Sequence, residues 1–200
     1  MIDAAFALLN NQLAAYIESM GGDRLDVIMA NIAAIDAANS NVDLERKVIL
    51  SLVNIEEEAA LKNAGPLYRN VKTLNYVNPP IYLNLYLLIT AHYEKYEDAL
   101  TRLSNVIQFF QGKNSFSLKN SPPNDMLLNP DTYEDIQLHL EMFSLSFEQL
   151  NHLWGSLGGK QWPSVLYKVR LVKITENRIT AQGPLIEEVQ TKENIITAEQ

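Results

Sequence analysis

Side chains able to carry chemistry are few and scattered in this chain of 200 residues. Its three histidines, His92, His139 and His152, stand far apart. None falls in an H-E-x-x-H or comparable spacing that would bring two imidazoles onto one metal. Each reads as a surface or half-buried histidine with an ordinary polar partner. The run Gly155-Ser156-Leu157-Gly158-Gly159-Lys160 has the residue types of a phosphate loop or a serine elbow. It has neither the spacing of G-x-x-x-x-G-K-[ST] nor that of G-x-S-x-G, so it reads as the end of a helix. Glu56, Glu57 and Glu58 form a carboxylate run that suits a hard cation such as Mg²⁺ or Ca²⁺. A solvated, charged strand end explains it without an ion. Beside an exposed strand edge such a run also prevents uncontrolled pairing and selects the partner that is allowed to pair. Tyr82, Tyr86, Tyr93 and Tyr96 fit a ligand platform, sheet packing or a protein interface, because tyrosine combines apolar area with one hydrogen bond. An active site needs convergent titratable groups, and these are dispersed. The expectation is a protein that is not an enzyme and has no cofactor and no metal.

Composition narrows the class further. With 47% hydrophobic and 20% charged residues, and only 8 glycines and 8 prolines, the chain can bury one core as a single globular domain. Sixteen basic against twenty-four acidic residues leave a formal charge of −8, which repels a phosphate backbone and argues against nucleic acid as a partner. There is no cysteine, so disulfides and thiolate metal sites are excluded and a reducing cytoplasm is the expected place of folding. The segment Met1-Ile2-Asp3-Ala4-Ala5-Phe6 lacks a basic n-region, and no apolar run reaches the ~18 residues of a membrane span. Direct membrane insertion is therefore not expected. A place outside the cell would be reached as part of a larger particle.

The elements that must position these groups follow from periodicity. Ile2, Phe6, Leu9, Leu13, Tyr16, Ile17 and Met20 recur at steps of three and four, which predicts an amphipathic helix over 2–20, ended by Gly21 and Gly22. A strand is expected over 25–32, and a strand covered on both faces over 47–55, where Val48, Leu50 and Leu52 oppose Ile49, Val53 and Ile55. Residues 59–80, with Gly65-Pro66 and Asn78-Pro79-Pro80, read as a long irregular connection. Clean alternation predicts a strand over 81–90, helical spacing predicts a helix from Tyr96 to Phe110, and 113–130 reads as a loop. Alternation returns over 136–143. Ser146 and Gln149 form a capping box for a short helix, closed by Gly158 and Gly159. A last strand covers 165–174 and places Lys168 and Arg170 on one face. Beyond it the period is lost, so 1–175 reads as the domain and 176–200 as a tail suited to be an inter-subunit arm. The predicted class is α+β: a single domain with a mixed or largely antiparallel sheet of about five strands flanked by about three helices.

Several blocks are more specific than any of these patterns. They are residues 48–58 (Val-Ile-Leu-Ser-Leu-Val-Asn-Ile-Glu-Glu-Glu) with Leu61-Lys62-Asn63, residues 78–86 beginning Asn78-Pro79-Pro80-Ile81, and Leu103-Ser104 followed by residues 106–111. To these are added Leu150-Asn151-His152-Leu153-Trp154-Gly155 through Gly158, and Pro163-Ser164-Val165-Leu166-Tyr167-Lys168-Val169-Arg170. Taken in order over residues 1–175, they resemble the tail-terminator, or cap, proteins of extracellular contractile injection systems of the antifeeding prophage and Photorhabdus virulence cassette type. The resemblance implies a phage tail-terminator fold and a homohexameric ring. Such a ring sits on the last layer of the inner tube and the surrounding sheath, at the end away from the baseplate. There it stops polymerisation, fixes particle length and anchors the sheath. The implied partners are further copies of the chain, the inner tube protein and the sheath protein. The implied location is the bacterial cytoplasm during assembly and the particle afterwards. The family has no catalytic residues to transfer. Another structural adaptor of the same particle is the competing reading, and a small ligand-binding protein or enzyme a more distant one.

A ring that ends a polymer needs heterologous contacts, and strand edges, long loops and tails are the elements that neighbours exchange. The candidate interface residues are therefore Glu56, Glu57 and Glu58, Tyr68 and Arg69 in the long connection, and Lys168 and Arg170. The acidic run and the basic pair have complementary charge.

Overall fold

A computed structural model describes residues 1–35, 44–58, 67–69, 74–117, 119–121, 136–174 and 179–183. The chain divides into two compact units, Met1–Lys62 with Ile81–Ile174, and Asn63–Pro80 with Thr175–Gln200. The architecture is α+β, as the periodicity predicts.

The larger unit opens with α1 (Ile2–Ser19). Leu8, Leu9, Leu13 and Ile17 lie on its fully buried stripe, and burial of each such side chain contributes about 1.5–3 kcal/mol. The two glycines end it as expected. Gly21 takes φ 82°, a left-handed conformation, and its N–H bonds the carbonyl of Glu18 at 3.0 Å, while the N–H of Gly22 reaches back to Ile17 at 3.0 Å. This double closure brings the chain against α1, so that a Cβ at Gly22 would sit 2.6 Å from Ile17 Cγ2 and 2.7 Å from Arg102 Nη1.

The strand expected over 25–32 is much shorter. β1 is Val27–Met29, between two short 3-10 turns at Arg24–Asp26 and Ile32–Ala34. Each turn is started by a side chain that offers the backbone a local partner: Asp23 accepts from Leu25 N, and Asn31 accepts from Ala33 N. These bonds compete with a ladder and cut the strand at both ends. Asp26 lies 3.9 Å from Lys47 and 3.8 Å from Arg102, which ties the first turn to the sheet and to the second helix.

Six strands form the main sheet. They are β1, β2 (Lys47–Glu57), β5 (Ile81–His92), β6 (Ser115–Ser117), β7 (Gln137–Met142) and β8 (Ser164–Ile174), in the order β1-β2-β5-β8-β7-β6. Only β1 and β2 pair parallel; the other neighbours are antiparallel. β6 falls in the segment expected to be a loop. Three residues are too few to display a period, and what fixes them is the fully buried Phe116, packed against Phe109 and Phe110 of α2 (Tyr96–Gly112). The two sheet faces bury different layers. Val48, Leu50, Leu85, Leu87, Ile89, Leu138, Leu140, Tyr167 and Val169 meet α1 and α2. Ile49, Tyr86, Leu88 and Leu166 meet Trp154 of α3 (Phe147–Ser156).

The two-sided burial expected for β2 holds from Val48 to Ser51 and then stops. Leu52 is 39% and Ile55 45% exposed, because the strand runs on past the cover of the helices. α3 opens with the expected capping box: Gln149 N–H donates to Ser146 Oγ at 3.2 Å and Ser146 N–H donates to Gln149 Oε1 at 2.9 Å. It closes with Gly159 N–H on the carbonyl of Trp154 at 2.7 Å. Gly155 to Lys160 is thus helix end and turn.

The smaller unit corrects two expectations. The connection read as irregular holds β3 (Leu67–Arg69) and β4 (Leu74–Val77), and the region after residue 175 supplies β9 (Ile179–Gly183). They form one antiparallel sheet in the order β3-β4-β9. Strands of three to five residues give almost no periodic signal, and the partner that stabilises β4 lies far downstream in sequence.

Two substitutions separate tight from open glycines. Gly22→Ala is expected to destabilise the fold by about 1–3 kcal/mol through the clash with Ile17 and Arg102. Gly155→Ala, with nothing within 4 Å of its added Cβ, is expected to stabilise by about 0.5–1 kcal/mol as a helix substitution. Urea unfolding midpoints check both, and equal shifts would contradict the geometry at Gly22. In the same assay Ser146→Ala is expected to cost about 1 kcal/mol through the lost cap.

Candidate functional site

The side of the sheet that packs on α3 is apolar only where α3 covers it. Beyond Leu88 and Leu166 the same face carries polar groups, because each strand continues its alternation past the end of the helical cover. Register places Glu56 opposite Asn84, and Asn54 opposite Tyr86. It places Tyr86 opposite Lys168, and on the far side Lys168 opposite Glu141 and Arg170 opposite His139. Four strands thus put acid, neutral polar, base and acid side by side.

The contacts follow that order. Tyr86 Oη donates to Glu56 Oε2 at 2.7 Å, and Asn84 Nδ2 donates to Glu58 Oε2 at 2.9 Å. Burial, then the hydrogen bond to Glu56 and its charge, push the Tyr86 phenol up to about 12, so it remains a donor throughout the neutral range. Lys168 Nζ stands 5.6 Å from the centre of the Tyr86 ring, within cation–π reach. Arg170 spans two carboxylates: Nη2 is 3.6 Å from Glu58 Oε2, and Nη1 donates to Glu141 Oε1 at 3.3 Å. His139 Nε2 lies 3.8 Å from the same Glu141 oxygen. Arg170 and Glu141 are half exposed, so each of these ion pairs contributes only about 0–1 kcal/mol. Asn84 is buried, and its Oδ1 has no hydrogen-bond partner among the described residues; the same holds for the buried Arg170 Nε.

Of the sequence-selected residues, Glu56, Glu58, Lys168 and Arg170 come together here, with Glu57 next to them at the end of β2, opposite Leu83. The acidic run and the basic pair, read as complementary halves of a contact between neighbours, meet within one chain through Glu58 and Arg170. Tyr68 and Arg69 lie on β3 of the smaller unit, opposite Asn75 and Leu74. Asn84, Glu141 and His139 were not selected from sequence. Their signal exists only in cross-strand register, which alternation within a single strand does not contain.

The remaining chemistry is dispersed. His92 Nδ1 is 2.7 Å from the carbonyl of Leu44, and its ring stands edge-on to Trp162 with centroids 4.3 Å apart, a packing role. His152 is exposed on α3. Among the described residues no three His, Cys, Asp or Glu side chains are grouped to hold a metal ion, and no helix is long and apolar enough to cross a membrane. Two shallow grooves flank Phe143, Leu145 and Leu166. One of 270 Å³ lies toward Met142 and Leu150, and one of 200 Å³ toward Val53, Glu56 and Tyr86. Both are mainly apolar and open, without a nucleophile and base in contact.

Comparison with known proteins identifies the fold and the family. Two solved structures are similar in fold. The sheath/tube terminator of an extracellular contractile injection system (PVC), in its extended state, has TM-score 0.64 at 18% identity, covering 100% of this chain and 65% of that one. The tube-terminating cap of the anti-feeding prophage has TM-score 0.61 at 15% identity, covering 96% of this chain and 61% of that one. The present chain therefore spans a little under two thirds of each. No curated protein matches the sequence. The family model of the Pvc16 N-terminal domain matches residues 5–188, nearly the full length, and the chain belongs to that family.

Proposed function

We propose that this protein is a structural cap of a phage-like contractile injection system. In this reading six copies close into a ring on the last layer of the inner tube, end its growth, fix the length of the particle and hold the sheath when it contracts. The protein is assembled in the bacterial cytoplasm and acts as part of the particle, without catalysis. The family match over residues 5–188 carries the reading, supported by the fold shared with a sheath/tube terminator and a tube-terminating cap.

The physical case rests on the polar face. A ring requires two different patches on each subunit that fit one another, and charge order fixes register between such patches. Glu56, Glu58, Lys168 and Arg170 supply alternating charge on a rigid sheet. Glu57, and in the smaller unit Tyr68 and Arg69, are further candidates in this reading for contacts with neighbours. The region 176–200, which supplies β9 to the smaller unit of its own chain, is in this reading also the candidate arm between subunits.

Light scattering after size exclusion, with and without the tube protein of the same particle, tests the proposal. Six copies of the 22.6 kDa chain in one species, alone or on addition of tube, are expected. A monomer indifferent to tube would remove the cap reading, and a ring that binds tube without halting its growth would make the chain an adaptor.

The charged face has its own test. Glu58→Arg alone sets two cations against each other and is expected to lower the ring fraction. Glu58→Gln with Arg170→Gln removes the pair inside the chain without setting like charges against each other, Arg170→Glu being unsuitable beside Glu141. If a neighbour reads this face, the double variant folds near the wild-type midpoint and still fails to close the ring. Wild-type rings from Glu58→Arg and from the double variant would limit these residues to a role within the subunit.

A further inference from the structure

The edges of the main sheet are unequal. One edge is β6, three residues long, with the following turn fastened by Lys113 Nζ, which donates to the Asn120 carbonyl at 2.9 Å and to Ser121 Oγ at 2.7 Å. At the other edge, β1 pairs with only Val48, Ile49 and Leu50 of the eleven residues of β2. The last link is Ala30 N–H to the Leu50 carbonyl at 3.2 Å. Ser51 then turns the chain away: its Oγ donates to the Ala30 carbonyl at 2.6 Å and accepts from Ile32 N–H at 3.1 Å.

From Leu52 to Glu57, β2 continues with β5 on its inner side, as far as Glu58 N–H on the Tyr82 carbonyl at 2.8 Å. No described strand lies on its outer side. The phase of the ladder is fixed at both ends. Leu50 presents its carbonyl to β1 and Glu58 its N–H to β5, so across the bulge between Leu52 and Asn54 the backbone groups of Leu52 and Ile55 face outward. These are also the two half-exposed apolar side chains of the strand. Ile55 N–H is taken by the side chain of its own neighbour, Asn54 Oδ1, at 2.9 Å. The bulge and this amide blunt an edge that would otherwise template pairing.

We propose that the outer edge of β2 past Leu50 is a docking edge for an extended, basic peptide segment of a partner protein, with the Asn54 side chain as a displaceable cap on it. An outward row of backbone groups beside alternating Leu52, Ile55 and Glu56 is matched by a strand with apolar side chains next to Leu52 and Ile55 and cations next to Glu56. A second copy of this chain does not match. Paired antiparallel on itself, its own β2 edge would set Glu56 and Glu57 against Val53 and Leu52 and bring no cation to them, and its β6 edge is too short. The formal charge of −8 favours a cationic segment further. This inference goes beyond the cap reading and does not depend on ring formation.

Three eight-residue peptides test it: one alternating valine and lysine, one alternating valine and glutamate, and one alternating proline and lysine, which has the charge of the first but cannot complete a ladder. The valine–lysine peptide is expected to bind at least about tenfold tighter than either other, and to slow hydrogen exchange at Leu52 and Ile55. Asn54→Ala, which frees the Ile55 N–H, is expected to tighten its binding several-fold. Ile55→Pro, which removes that N–H without touching the ladder to β5, is expected to abolish it, with thermal unfolding as the check that the variant folds. Equal binding of the proline–lysine peptide, protection confined to other segments, or unchanged affinity in Asn54→Ala would overturn the proposal.

Discussion

The structure depends on the burial of β5 on both faces. From Leu85 to Ala91 every side chain is buried, odd positions toward α1 and α2 and even positions toward α3. One strand therefore belongs to both apolar layers. Its antiparallel ladders to β2 and β8 carry that alternation outward, and a one-residue slip of either would turn every side chain of the moved strand to the wrong face. The helices have no comparable role. Each covers one side, and each stops before the strands do.

That mismatch in length creates the surface. β2, β5 and β8 extend beyond α1, α2 and α3, and their alternation does not end where the cover ends. On the face of α3 the extension is polar, and Tyr86 with Glu56, Asn84 with Glu58, and Arg170 with Glu58 and Glu141 link the strands. On the opposite face it is apolar, at Leu52, Ile55 and Ile81. A sheet of this kind is a rigid platform with a different chemistry on each side.

Much of the larger unit was legible because its elements are long enough to repeat. α1 shows five turns of an apolar stripe, β5 shows unbroken alternation, and the Ser146 box and Gly21-Gly22 stop are local motifs with a local cause. Where the reading departed from the structure, the deciding interaction was either very short or very distant. Asp23 and Asn31 ended β1 through single side-chain bonds. Phe116 made β6 through burial in a core assembled by other elements. β3, β4 and β9 exist by pairing between segments that a window along the sequence never holds together. The site was half legible for the same reason. Its charged members, Glu56, Glu58, Lys168 and Arg170, were visible as residue types, whereas Asn84, Glu141 and His139 became part of it only through register.

The pairing of β4 with β9 also sets an order in time. Residues 74–77 cannot find their second neighbour until 179–183 have been synthesised, so the small sheet stays a two-stranded hairpin while about 100 further residues emerge, a wait of about 5–20 s at ordinary rates of translation. A two-stranded hairpin alone is marginal in water. The smaller unit is thus completed only when residues 179–183 are present. A truncated product, folded through β8 and arrested before residue 179, lacks the strand that finishes it and enters assembly without that sheet.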